Sequence, residues 1–273
     1  MTDGRHLTHP DRLAIRERPN GRPLMHQTWG RLLFMHWRID EKLLRPMIPA
    51  PLEIDTFDGT AWIGVIPFTM WDIRATFLPP IPSASAFHEL NVRTYVHYQG
   101  VPGVWFFSLD AAHRLAVCGA RAFYHLPYFN AEMSLKQSGD RIDYSSARRD
   151  PMSYPKFFAA EQNGFGMDFN AAQDRDLPRA QFKGSWRVDE ALTESRPGSL
   201  EFFLTERYCL YAYRRGFLSR ARIFHDPWPL RSATIDSFQS TMIESLGLPS
   251  PKGEPVLNYA EEIDVDIWPV RRL

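Results

Sequence analysis

The stretch LEIDTFDGTAWIGVI, residues 52–66, decides the fold class. Two segments rich in β-branched and aromatic residues flank Asp58-Gly59, a dipeptide that supplies positive φ at both central positions of a type I′ turn. It predicts a hairpin of residues 52–57 against 60–66. Upstream, residues 28–39 (TWGRLLFMHWRI) form a dense apolar run that predicts a buried strand. Asp40 then caps a short helix, EKLLRPMI, which Pro46 and Pro49 keep from extending.

Downstream, a Pro-rich connector at 78–85 leads to a strand over 89–98. There Leu90, Val92, Thr94 and Val96 share one face, and Glu89, Asn91, Arg93, Tyr95 and His97 the other. Residues 104–109 (VWFFSL) are apolar on both faces, which predicts mid-sheet placement. Asp110 is expected to cap an Ala-rich helix reaching about Arg121, stopped at Leu126-Pro127. Further strands are expected near 130–137, 141–149, 180–188, 207–213, 217–225, 230–238 and 259–267, with helical pieces near 199–206 and 239–246. Residues 150–178 lack a sustained period and are expected to be a long loop with at most short helices.

Strands in hairpin order, with a few short helices and no βαβ alternation, imply a mainly antiparallel α+β domain. So many strands and aromatics imply a sheet that curls toward a barrel. The expected organisation is a single domain over 1–273 with a polar N-terminal leader, residues 1–24.

Composition narrows the function. Lys plus Arg and Asp plus Glu both number 32, and the zero net charge argues against a nucleic-acid binder, which concentrates an uncompensated basic surface. The leader has no apolar run resembling a signal peptide, and the longest apolar stretches fall short of a membrane span. Cys118 and Cys209 make no disulfide framework, so a soluble cytoplasmic protein is expected. An antiparallel sheet with aromatic edges is compatible with a homo-oligomer.

The common catalytic strings are absent. There is no G-x-S-x-G elbow and no Walker loop, and His88-Glu89 fails as a zincin motif because Val92 stands where the second histidine belongs. No cofactor is implied. A metal site built from Glu89 with His36, His125 or His225 is allowed by spacing, although a hydrogen-bonded structural histidine is the commoner case.

Three segments carry chemistry. The face Glu89, Asn91, Arg93 sets a carboxylate and a guanidinium about 13 Å apart along a strand. It is either a solvent-facing stripe or, in a curled sheet, a binding wall. ARAFYHLPYF, residues 120–129, offers Arg121 as a cation and Tyr124 and Tyr128 as phenols, or else a structural arginine in aromatic packing. FHDPW, residues 224–228, places His225 before a turn.

RLLFMHWRIDEKLLRPMIPAPLEID, FHELNVRTYV, GVWFFSLDA, ARAFYHLPYF, LTERY and FHDPW together resemble the bacterial YqjF-like family of the acetoacetate decarboxylase-like superfamily. The resemblance spans most of residues 28–240 and implies a cone-like barrel around a small pocket. In acetoacetate decarboxylases an arginine precedes Pro-Lys-Lys, whose first lysine forms an imine with the substrate. Here Arg121 matches the arginine and Pro127 the proline, but Tyr128 stands at the imine lysine and Phe129 at its activating neighbour. A phenol cannot form an imine, and the five lysines, Lys42, Lys136, Lys156, Lys183 and Lys252, all lie elsewhere. Glu89 matches the superfamily glutamate. Gly30 falls where an active-site arginine belongs, with Arg31 beside it on the opposite strand face.

The resemblance and the residues together imply a protein that binds, or an enzyme that acts without an imine on, a small anionic or carbonyl-containing compound. Glu89 and Tyr128 would handle protons, and Arg93, Arg121, Tyr124 and His225 would hold the ligand. A non-catalytic ligand sensor or structural partner is the competing expectation.

Overall fold

A computed structural model describes residues 7–78, 86–150, 154–162, 177–191 and 195–273. Most of the 78–85 connector and much of 150–178 lie outside these residues. The turn at 58–59 is as expected: Asp58 and Gly59 have φ of 49° and 69°, and Phe57 and Thr60 exchange backbone hydrogen bonds of 3.0 Å. The hairpin, however, ends at that bridge. The Asp55 amide donates to the Tyr95 carbonyl at 2.9 Å, so β2 (Glu53–Ile54) lies along β4 (Phe87–Tyr98) rather than along β3 (Ala61–Ala75). Strand β3 instead runs between β4 and β1 (Met25–Ile39). Between β1 and β2, Asp40 caps α2 (Glu41–Leu44) as predicted, accepting from the Lys42 amide at 2.9 Å.

The described part of the polar leader, from residue 7 on, is anchored to the fold. Thr8 caps α1 (His9–Ala14), and from that helix Arg12 grips the buried Asp55 with two bonds of 2.6 Å.

Asp110 belongs to β5 (Val101–Ala111) and caps no helix. Being fully buried, it needs a partner that the helix expectation did not supply, and Arg148 is that partner. Helix α3 starts only at Arg114, runs to Tyr124, and leads to β6 (Tyr128–Ser138), which pairs parallel with β5. One βαβ unit therefore interrupts the antiparallel order, contrary to expectation.

Strand β7 (Arg141–Arg148) follows, then α4 (Tyr154–Gln162), which orders part of the expected loop excursion, and β8 (Gln181–Ala191). Beyond α5 (Leu200–Thr205) come β9 (Cys209–Arg214), β10 (Phe217–Phe224), β11 (Leu230–Ser240), β12 (Val256–Ile267) and β13 (Arg271–Arg272). The mixed, mainly antiparallel sheet curls into a closed ring of nine strands, β5-β6-β7-β8-β11-β12-β1-β3-β4 and back to β5. Strands β9 and β10 bridge β5 to β12 and close a second, smaller ring over β1, β3 and β4.

This double closure buries both faces of β4. Leu90, Val92 and Val96 pack inside the nine-strand ring with Met35, Phe107 and Tyr144. Tyr95, on the opposite face, packs with Leu109, Leu126, Phe203 and Leu210 under β9, β10 and α5. The stripe that alternation alone left between solvent and binding wall is interior: Glu89 is 2% exposed, Asn91 4% and Arg93 8%.

Candidate functional site

Glu89 lies between Phe68 of β3 and Ala111 of β5. Tyr128 reaches it because α3 stops at Tyr124, His125 adopts φ 54°, and Leu126-Pro127 returns the chain to β5 with Tyr128 beside Leu109. The Tyr128 hydroxyl donates to Glu89 Oε2 at 2.8 Å. Glu89 is buried and Tyr128 partly buried.

Burial dominates the electrostatics of the pair. Loss of hydration pushes Glu89 up from 4.5 to about 8, against the opposing hydrogen bonds of Tyr128 and Asn91 and with a small push from Asp110. The same burial, then the neighbouring Glu89, holds the Tyr128 phenol well above its ordinary range. At neutral pH both partners are mostly protonated, so the site holds a carboxylic acid and a phenol side by side.

Two and four residues along the same face come Asn91 and Arg93. Asn91 Oδ1 has no hydrogen-bond partner, and neither has Arg93 Nε. Arg93 donates from Nη2 to the Leu204 carbonyl at 3.2 Å, and its guanidinium carbon lies 5.6 Å from the Phe34 ring centre and 5.7 Å from that of Tyr95. Among the described residues no carboxylate pairs with Arg93, a buried cation whose usual compensation is missing.

Sequence reasoning missed the company Arg93 keeps. His36 of β1, Gly64 of β3 and Arg93 form one cross-strand row. Gly64 is required there, because a Cβ would lie 2.7 Å from His36 Cδ2. Tyr95 Oη is 2.6 Å from both His36 Nε2 and the Leu204 carbonyl. The carbonyl only accepts, so the phenol donates to it and receives the Nε2 proton of a neutral imidazole, which leaves Nδ1 unpartnered. Burial, then Arg93 and Arg207, hold His36 far below its ordinary range, as this tautomer requires. No local motif signals the row, because a β-bulge in β1 sets its register.

The other expected ligand-binding residues divide. Tyr124 ends α3 with its hydroxyl unpartnered and pushed up to about 12 by burial. Arg121 is already engaged and is no free cation. Its Nη2 pairs with Asp150 at 2.8 Å and its Nε donates to the Tyr128 carbonyl at 2.6 Å. His225 stacks on Tyr208 with ring centres 4.5 Å apart, its nitrogens facing the carbonyls of Asp226 and Arg207, a structural placement.

The composite metal site does not assemble. His36 is bound to Tyr95, His125 to Arg214 and His225 to main chain, and among the described residues no three His, Cys, Asp or Glu side chains converge as ligands. All five lysines are exposed at the surface, away from Glu89. At Gly30, the position expected from the resemblance to align with an arginine, the Trp71 ring packs over the backbone, while Arg31 turns at φ 52° to bond Gln137. Two surface cavities, an aromatic crevice of about 10 Å³ beside His125 and a polar groove of about 300 Å³ around His26 and Asp266, are not lined by Glu89 or Tyr128.

The model of the DUF2071 family, described as an uncharacterized conserved protein, matches residues 26–264. The chain belongs to this family. It is 42% identical over 254 residues to "Uncharacterized protein YqjF" of Bacillus subtilis, covering 93% of this chain and 94% of that one. Among solved structures it is similar to the enduracididine biosynthesis enzyme MppR complexed with pyruvate, at TM-score 0.59 and 12% identity, covering 94% of this chain and 93% of that one. It is also similar to acetoacetate decarboxylase from Legionella pneumophila, at TM-score 0.56 and 12% identity, covering 95% and 94%. The fold is thus acetoacetate decarboxylase-like. No helix among the described residues is long and apolar enough to cross a membrane.

Proposed function

We propose that this chain binds a small anionic carbonyl compound of the 2-oxo acid type on the Glu89–Arg93 face and moves a proton on it without forming an imine. The carrying observation is the 2.8 Å Tyr128–Glu89 pair on the same buried face as an arginine that has no carboxylate partner among the described residues. A ligand carboxylate compensates Arg93 through charge-assisted hydrogen bonds. The Tyr128 phenol donates to the ligand carbonyl, and Glu89 exchanges a proton at the adjacent carbon. MppR, of like fold, is a pyruvate complex, which supports this ligand class. Tyr128 in place of the lysine, with every lysine exposed, supports the route without an imine. The two unbridged cysteines agree with a cytoplasmic setting.

The test uses pyruvate as the probe, with calorimetry for binding and proton NMR for methyl hydrogen–deuterium exchange in D2O. Removing one charge-assisted contact, worth roughly 1.5–3 kcal/mol, predicts that Arg93→Met binds about 10- to 100-fold more weakly. Glu89→Gln and Tyr128→Phe should lose the exchange. In the wild type, exchange should rise with pH through about 8 as Glu89 becomes a base. If both variants leave binding and exchange unchanged, the assignment is wrong. The closed cover over Glu89 favours a second reading, a sensor without turnover; it predicts Arg93-dependent binding with no exchange in any variant.

A further inference from the structure

Arg121 matched a superfamily motif as a ligand-binding cation, yet its guanidinium is spent inside the protein. Its Nη2 donates to Asp150 Oδ2 at 2.8 Å, and that oxygen also accepts from the Asn130 amide and Asn130 Nδ2, both at 3.2 Å. Its Nε donates to the Tyr128 carbonyl at 2.6 Å. One side chain therefore ties the last turn of α3 to Asp150, two residues past β7, and to the backbone of the residue whose phenol meets Glu89. The hold sits beside a residue in an uncommon backbone conformation, since His125, which has a Cβ, occupies the left-handed region at φ 54° between α3 and β6.

We infer that Arg121 is a positioning residue, which with Asp150 forms a latch that fixes the Tyr128 phenol on Glu89 and acts on the ligand only through Tyr128. The inference rests on the Glu89–Tyr128 pairing proposed above as the proton-transfer site. A planar guanidinium suits the task, because its fork can hold a carboxylate and a carbonyl at once while an ammonium is a point charge.

The consequence is readable without any ligand. The groups facing Glu89 are Tyr128 of β6, Asn91 of its own strand, Asp110 of β5 and Tyr144 of β7, with Tyr124 of α3 beside Tyr128. Of these, the Tyr128 hydrogen bond is the strongest influence stabilising the ionised carboxylate. A phenol that swings off Glu89 therefore raises the pH at which Glu89 ionises.

The experiment follows the Glu89 carboxyl carbon by NMR across a pH titration of 13C-labelled full-length protein, assigned by its loss in Glu89→Gln. Tyr128→Phe should shift the titration to higher pH, Arg121→Met should shift it the same way, and the double variant should titrate where Tyr128→Phe alone does. Arg121→Lys, which keeps the charge and loses the fork, should resemble Arg121→Met. Asp150→Asn supplies the same comparison should Arg121→Met fail to fold. An Arg121→Met or Asp150→Asn titration identical to wild type, or a double variant whose shift is the sum of the singles, would overturn the inference. Pyruvate binding and exchange test the proposed function separately, so loss of either conclusion leaves the other measurable.

Discussion

Glu89 should cost the protein stability in a way that grows with pH. Its carboxyl ionises at about 8 in the folded chain against an ordinary 4.5, so the folded state binds the extra proton through that interval. The stability that Glu89 contributes therefore falls as pH rises from about 4.5 to about 8 and is constant outside that window. At about 1.4 kcal/mol per pH unit, the linkage cost is about 1 kcal/mol at pH 5, about 3 at pH 7 and nearly 5 at pH 9. Glu89→Gln keeps the shape and the oxygen that Tyr128 needs and removes the ionisation. Urea unfolding of both proteins at pH 5, 7 and 9 should give a stability difference that moves in favour of glutamine by about 4 kcal/mol across the series. A constant offset from the exchanged hydrogen bonds cancels in that comparison, and the Tyr128 phenol stays protonated throughout. A difference that changes by less than about 1 kcal/mol between pH 5 and pH 9 would refute the argument, because it would mean that Glu89 ionises in the ordinary carboxylate range.

Two further outcomes follow from the packing. Arg148 holds the fully buried Asp110 through Nε at 2.9 Å, yet burial outweighs this partner and carries the carboxyl above its ordinary range. Arg148→Met should therefore cost about 3–5 kcal/mol in chemical denaturation, and Asp110→Asn in the same background should recover part of it. A Cβ on Gly64 would meet His36 Cδ2 at 2.7 Å, so Gly64→Ala should lose about 1–3 kcal/mol and displace the imidazole from Tyr95, seen as a shifted His36 ring resonance.

Local patterning carried most of the fold. Asp58-Gly59 set a turn, Asp40 a cap, and the alternation of 89–98 a strand with separate faces, since each depends on neighbours in sequence. The misjudged elements all depended on distant partners. The 52–57 flank left its hairpin because Asp55 is claimed by Arg12 and Arg207 and its amide by Tyr95. Asp110 resembled a cap because an acidic residue before an Ala-rich run usually is one; only Arg148, 38 residues on, makes a buried aspartate tolerable in the strand. At the site, the place matching the lost lysine brought Tyr128 to Glu89, but the His36 row depends on a bulge and a three-strand register that no window of sequence contains.

A tyrosine at position 128, where the resemblance to acetoacetate decarboxylases sets the imine lysine, bears on the glutamate as well as on the nucleophile. A lysine at position 128 would confront Glu89 with an ammonium, and an opposite charge a few ångströms away favours the ionised carboxylate. Tyrosine brings a neutral donor that stabilises the carboxylate by one hydrogen bond, too little to offset the dehydration of a side chain 2% exposed. The carboxyl consequently stays protonated near neutrality, and the only buried cation on that face left without a carboxylate among the described residues is Arg93. Imine chemistry needs an uncharged amine, which a lysine supplies near neutrality only when its pKa is depressed, whereas this face carries a protonated carboxyl at Glu89 and a cation at Arg93. Under the function proposed above, this face takes up an anion and gives or accepts a proton, two tasks that need no covalent bond to the protein.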